Sequence, residues 1–147
     1  MELDQPLTQP LEMLFNLVQA TNAHDLEALV SCFSSDYRNE TPAHPARGFE
    51  GSEQVRTNWQ QILSGVPDIT IDVVSFAVKD NRVWSEMEMR GTRRDGSPHL
   101  MRGVVIFDVT GGQAVAARFY MEPVQIGGGD VNDAVRDVIA NRPEAPR

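Results

Sequence analysis

A strict alternation runs through Val83-Trp84-Ser85-Glu86-Met87-Glu88-Met89-Arg90. On a strand, whose side chains repeat every second residue, it sets Met87 and Met89 on one face and Glu86, Glu88 and Arg90 on the other. The same parity continues downstream. With odd-numbered residues turned inward, the inner surface is Val83, Met87, Met89, Met101, Val105, Phe107, Val109, Val115, Phe119 and Met121, all apolar. The other face then carries Glu86, Glu88, Arg90, Arg102, Asp108, Arg118, Tyr120 and Glu122. A slip of a single residue would bury every one of those charges, at a cost no sheet recovers without paired partners. The pattern therefore predicts an apolar inner wall that carries no acid.

Helical spacing dominates the first half. Residues 1–7 read as a loose leader. From about Pro10, Leu11, Leu14, Phe15 and Val18 recur on one face, with Leu17 widening it. Asn22-Ala23-His24 breaks the pattern, and Asp25 caps a second short helix carrying Leu26, Leu29, Val30 and Phe33. Asp36 to Thr41 reads as a short strand ended by Pro42. The segment from Pro42 to Gly51, with its prolines and glycines, reads as a loop. Ser52 then caps a third helix presenting Val55, Trp59, Ile62 and Leu63, stopped by Gly65 and Pro67.

Four strands follow, over Ile69–Lys79, Arg82–Arg93, His99–Val109 and Ala114–Val124. Their turns, Asp80-Asn81, Arg94-Asp95-Gly96 and Gly111-Gly112, have hairpin chemistry, so the strands form an antiparallel meander. The Arg94-Asp95-Gly96 loop places Glu88 opposite Arg102 and Met87 opposite Gly103. Gly127-Gly128-Gly129 reads as a tether to an amphipathic helix from Asp130, with Val131, Ala134, Val135 and Val138 on one face. Arg142 to Arg147 reads as a disordered tail. The order of elements is α+β: a cone-shaped, curved antiparallel sheet wrapped around three N-terminal helices, with a helix appended at the C-terminus. The expected division is a domain over 8–125 and a tether, helix and tail over 126–147.

The 147 residues suffice for one domain with a real core. A net charge of −8 argues against nucleic-acid and anionic-membrane partners. No window approaches the roughly 18 to 20 apolar residues of a membrane span. Met1-Glu2-Leu3-Asp4 lacks the basic start and apolar run of a secretory signal, and the single Cys32 fits a reducing compartment. The expected location is cytoplasmic. Cys32 lies in an apolar pattern and reads as a buried structural thiol. Arg90, Arg93 and Arg94 read as a solvated hairpin tip. No phosphate loop, nucleophile elbow or Rossmann fingerprint is present, and the three histidines have no ligand spacing. Neither cofactor nor metal is expected.

Asn22-Ala23-His24-Asp25-Leu26-Glu27-Ala28-Leu29, Tyr37-Arg38-Asn39-Glu40-Thr41-Pro42, Gly48-Phe49-Glu50-Gly51 and Arg118-Phe119-Tyr120-Met121-Glu122-Pro123-Val124 resemble segments of the SnoaL-like members of the nuclear transport factor 2-like superfamily. The resemblance spans about residues 10–125 and implies the cone fold. That fold hosts isomerases, cyclases, epoxide hydrolases, dehydratases and non-enzymatic binders. Tyr37 and Asn39 resemble the water-holding pair of limonene epoxide hydrolase-like proteins. Ungapped alignment to that group puts Met87, Met89 and Phe119 where it carries Arg, Asp and Asp, so the acid and base of that reaction are missing.

The candidate site follows from both lines of reading. Tyr37, Asn39 and His44 are the candidate catalytic groups, His44 as a general base at the cavity rim. Trp59, Met87, Met89, Met101, Phe107, Phe119 and Met121 are the candidate ligand wall. Three functions stay open. One is a cofactor-independent isomerase, cyclase or hydrolase acting on a small hydrophobic molecule. The second is a non-catalytic binder of such a molecule, and the third is an interaction module. Apolar Trp84, Leu100, Val104 and Ile106 among the outer charges, joined by Val74, Phe76 and Val78 if their strand bends, imply a covered outer face. A homodimer through that face is expected, with the C-terminal helix as the other candidate cover.

Overall fold

The structure, a computed structural model, describes residues 8–140. The expected leader over 1–7 and tail over 142–147 lie outside that range. Helix α1 spans Thr8–Asn22 and α2 Leu26–Val30; strand β1 spans Phe33–Glu40. A 3-10 turn over Pro45–Arg47 and a short strand β2, Phe49–Glu50, lead into α3, Ser52–Gly65. Strands β3 (Thr70–Lys79), β4 (Arg82–Thr92), β5 (Pro98–Thr110) and β6 (Gln113–Phe119) follow, then β7 (Glu122–Pro123) and α4 (Val131–Ala140). The strand order is β2-β1-β6-β5-β4-β3, with β7 on β5. The result is a curved, unclosed sheet packed around α1, α2 and α3. It is mixed: β1 runs parallel to β6, while the other pairs are antiparallel.

The hairpin register matches the parity argument. Glu88 pairs with Arg102 and Met87 with Gly103. Val83, Met87, Met89, Val105, Phe107, Val109 and Met121 are buried on the helix side. Arg102 Nε donates to Glu88 at 2.6 Å on the outer face, and Arg90 pairs with the same carboxylate. Arg82 grips Asp108 with two hydrogen bonds, at 2.6 and 3.2 Å.

Bulges overturn two local expectations. Between Val73 and Ser75 the register shifts, leaving Val74 as the extra residue. Beyond it Phe76 and Val78 face Ser85 and Val83, so both lie on the helix side rather than the outer face. Phe76 meets Phe15 of α1 edge-on, with centroids 5.7 Å apart. A second shift, opposite Asp108 and Val109, puts Ala114 and Ala117 inside and leaves Val115 half-buried instead of on the inner wall.

Two helix ends also differ. α2 stops at Val30, and Phe33 begins β1. Asp25 does cap α2, its Oδ1 accepting from the Ala28 N–H at 3.1 Å. At α3 the cap is Gly51 rather than Ser52. Gly51 has φ +95°, open to glycine alone at little cost, and its N–H donates to the Tyr37 carbonyl at 2.6 Å. This bond fixes the start of α3 against the middle of β1.

Arg90, Arg93 and Arg94 are engaged rather than merely solvated. Arg90 pairs with Glu88, Arg93 donates to the Pro98 carbonyl at 2.6 Å, and Arg94 donates to the Ser64 carbonyl at 2.7 Å. Cys32 is buried, and burial pushes its thiol pKa up, as suits an inert core thiol. Among the described residues no helix is long and apolar enough to cross a membrane. Every residue of α4 is exposed, so α4 covers neither the outer sheet face nor the inner cavity.

Candidate functional site

A cavity of about 410 Å³ opens between α3, β1 and the far ends of β4, β5 and β6. Strand β1 supplies Phe33, Tyr37 and Asn39, which share the inward face of an alternating strand. Helix α3 supplies Val55, Asn58, Trp59 and Ile62, and the meander supplies Met89, His99, Met101, Phe119 and Met121. Thr41, Arg47 and Phe49 complete the wall from the connection between β1 and α3. No Asp or Glu lines the cavity among the described residues.

Tyr37 is only 1% exposed, with its ring edge-on to Phe33 at 4.8 Å and tilted against Phe49 at 6.0 Å. Its hydroxyl donates to Asn39 Oδ1 at 2.8 Å. Burial drives the Tyr37 pKa sharply upward, so the group is a neutral phenol at physiological pH. Asn39 therefore spends its oxygen on Tyr37 and keeps its amide N–H donors. Among the described residues they bond to none, and no buried side-chain polar atom lacks a partner, so these N–H groups are open to the cavity rather than sealed in the core. The Asn39 amide is thus left facing the cavity as a donor.

His99 is half-buried on the opposite wall. Arg93 Nη2 lies 3.5 Å from its Nδ1. A guanidinium only donates, so Nδ1 accepts and the ring proton sits on Nε2. Burial first, and the Arg93 charge second, hold the His99 pKa below its ordinary 6.5. The ring is neutral at pH 7.

The structure brings Tyr37, Asn39, Trp59, Met89, Met101, Phe119 and Met121 together around one cavity. It does not bring in Met87, Phe107 or His44. Met87 and Phe107 are 2% and 1% exposed and lie in the core beneath the cavity. Phe107 supports Phe119 edge-on, with centroids 6.4 Å apart. They share the wall's parity but sit where helices fill the cone. His44 turns away to Glu122 of β7, Nε2 to Oε1 at 3.0 Å, and ties the loop to the sheet. Its expected role as a cavity base is not met by this geometry. His99, Arg47, Thr41 and Asn58 were not singled out from the sequence. His99 was within reach of the argument, since it has the odd parity of Met89 and Met101 on the same hairpin.

Among the described residues, four helices and a curved, unclosed sheet of seven strands define a nuclear transport factor 2-like α+β cone, here with an apolar cavity at its open end. A SnoaL-like domain model matches residues 15–117, more than half of the chain, and the protein belongs to that family. Solved structures share the fold at low identity. A SnoaL-like protein of Jannaschia sp. CCS1, provisionally named a polyketide cyclase, is 18% identical with a TM-score of 0.69, covering 97% of this chain and 99% of its own. IdmH of Streptomyces antibioticus, also provisionally a polyketide cyclase, is 22% identical with a TM-score of 0.68, covering 78% and 92%. A Mycobacterium tuberculosis protein solved with estradiol-17beta-hemisuccinate is 17% identical with a TM-score of 0.66, covering 76% and 92%. Among curated proteins no sequence matches significantly.

Proposed function

We propose that the protein binds one small, largely apolar, oxygen-bearing molecule in this cavity. The observation that carries the reading is the donor amide of Asn39, oriented by Tyr37, in a mostly apolar wall that includes Met89, Met101, Phe119 and Met121. The volume suits a single small ligand. Methionines adapt their shape to an apolar body, and one amide donor fixes the position of an oxygen. The steroid ester held by the mycobacterial relative is in keeping with such a ligand.

Calorimetric titration with 2-acetonaphthone, a neutral aromatic ketone, tests this. Saturable one-to-one binding is expected, weakened by Asn39→Ala and abolished by the cavity-filling Met101→Trp. Binding that survives both substitutions lies elsewhere and refutes the reading.

A catalytic reading, as an isomerase or cyclase, is favoured by His99. Both reactions begin by removing a proton from carbon next to a carbonyl, and the one lone pair of neutral His99, on Nδ1 at 3.5 Å from Arg93, becomes the base for that step when the Arg93 contact gives way. A hydrolase driven by carboxylates finds no acid on this wall among the described residues. The check is deuterium exchange at the methyl group of bound 2-acetonaphthone, followed by NMR. The exchange should vanish in His99→Gln. It should fall as pH drops through a midpoint below 6.5, because protonation removes the base. Binding without His99-dependent exchange would mark a non-catalytic binder. The outer sheet face, where half-buried Trp84, Val104 and Ile106 sit among ion pairs, is the proposed seat of a homodimer.

A further inference from the structure

The charge of the cavity runs against that of the molecule. The chain carries −8 overall, yet the only residue on the cavity wall with a permanent charge is Arg47, and no acid accompanies it among the described residues. Most other arginines are occupied: Arg56 with Glu27 and Glu53, Arg82 with Asp108, Arg102 with Glu88. Arg47 forms neither an ion pair nor a side-chain hydrogen bond with any described residue.

Its backbone, in contrast, is anchored. Arg47 ends the 3-10 turn Pro45–Arg47, and its N–H donates to the His44 carbonyl at 2.9 Å. The same turn is tied to β7 through His44 and Glu122. The next residue, Gly48, runs so close to β1 that a Cβ there would lie 3.2 Å from the Asn39 carbonyl. Arg47 therefore borders the cavity from a braced turn on the side of Asn39. Arg47 is exposed, so solvent screens its charge and its hold on an anion rests on close two-point contact.

Building on the binding reading above, we propose that the ligand is an amphiphilic carboxylate. Its apolar body lies against Met89, Met101 and Phe119, and its carboxylate is taken by the Arg47 guanidinium at the mouth. A planar fork of donors matches a carboxylate in two-point geometry, which a neutral oxygen cannot satisfy. The acidic surface elsewhere repels anions, so selectivity for one must arise at this spot.

The test compares 2-naphthoate with 2-acetonaphthone, close in shape but differing in charge, by calorimetry at one pH and ionic strength. The naphthoate should bind roughly tenfold tighter, the scale of one charged hydrogen-bonded contact. Arg47→Gln should erase that preference, bringing the two probes to equal affinity. Arg47→Lys should keep part of it, as a charge without the fork. Arg118→Gln, on the outer face, should leave it intact. Equal binding of the two probes to the wild type, or a preference that survives Arg47→Gln, overturns the carboxylate assignment while the cavity reading stands. If neither probe binds, the cavity reading fails and this inference with it.

Discussion

Tyr37→Phe and Asn39→Ala break the same hydrogen bond from opposite ends and should not cost the same. In Asn39→Ala the Tyr37 hydroxyl stays in place, 1% exposed, with its acceptor gone. A buried donor without a partner costs about 1–3 kcal/mol. In Tyr37→Phe the donor itself leaves. Asn39 borders the open cavity, where water can replace the lost hydroxyl, so only the net worth of one bond disappears, about 0.5–1.5 kcal/mol. The double variant loses the bond once, so its cost should fall short of the sum by about 1 kcal/mol. For a domain of this size, 1 kcal/mol moves the melting midpoint by about 2–4 °C. Urea unfolding at 25 °C, followed by circular dichroism with m unchanged, measures all three. Additivity within about 0.3–0.5 kcal/mol, or Tyr37→Phe proving the costlier change, would refute this account of the pair.

Two further outcomes follow from the same packing. Gly103→Ala would place a Cβ 2.1 Å from the Tyr120 carbonyl and 2.7 Å from Met121 Cα, both backbone, and should cost about 3 kcal/mol or more. Gly65→Ala, with nothing within 4 Å of its Cβ, should instead stabilise by about 0.4–1 kcal/mol, and thermal melts of the two variants decide. A chain ending at residue 126 should keep the parent melting midpoint, because every residue of α4 is exposed. Light scattering on that chain should give a dimer mass, as pairing through the outer sheet face requires; a monomer would refute that face as the seat of a dimer.

The meander and its register were legible in the sequence. Hairpin turns are local, and a two-residue period leaves one arrangement that keeps Glu86, Glu88 and Arg102 out of the core. The apolar, acid-free wall came with that register, because Met89 and Phe119 stand at inward parity. The bulges at Val74 and Val115 were not legible. One inserted residue reverses parity, and its location depends on how the strand bends around α1, as the Phe15–Phe76 contact illustrates.

Tertiary structure alone decided depth and partnership. Met87 and Met89 share a face, yet α1 and its neighbours fill the cone over the first and leave space before the second. The parallel pairing of β1 with β6 joins segments some 80 residues apart, and the turn that carries Arg47 is held by His44 and Glu122, 78 residues apart. Alternation and turn chemistry act between near neighbours, so the chain alone specifies which side each residue faces. Which of those residues border empty space depends on long-range contacts that close only when the sheet curves.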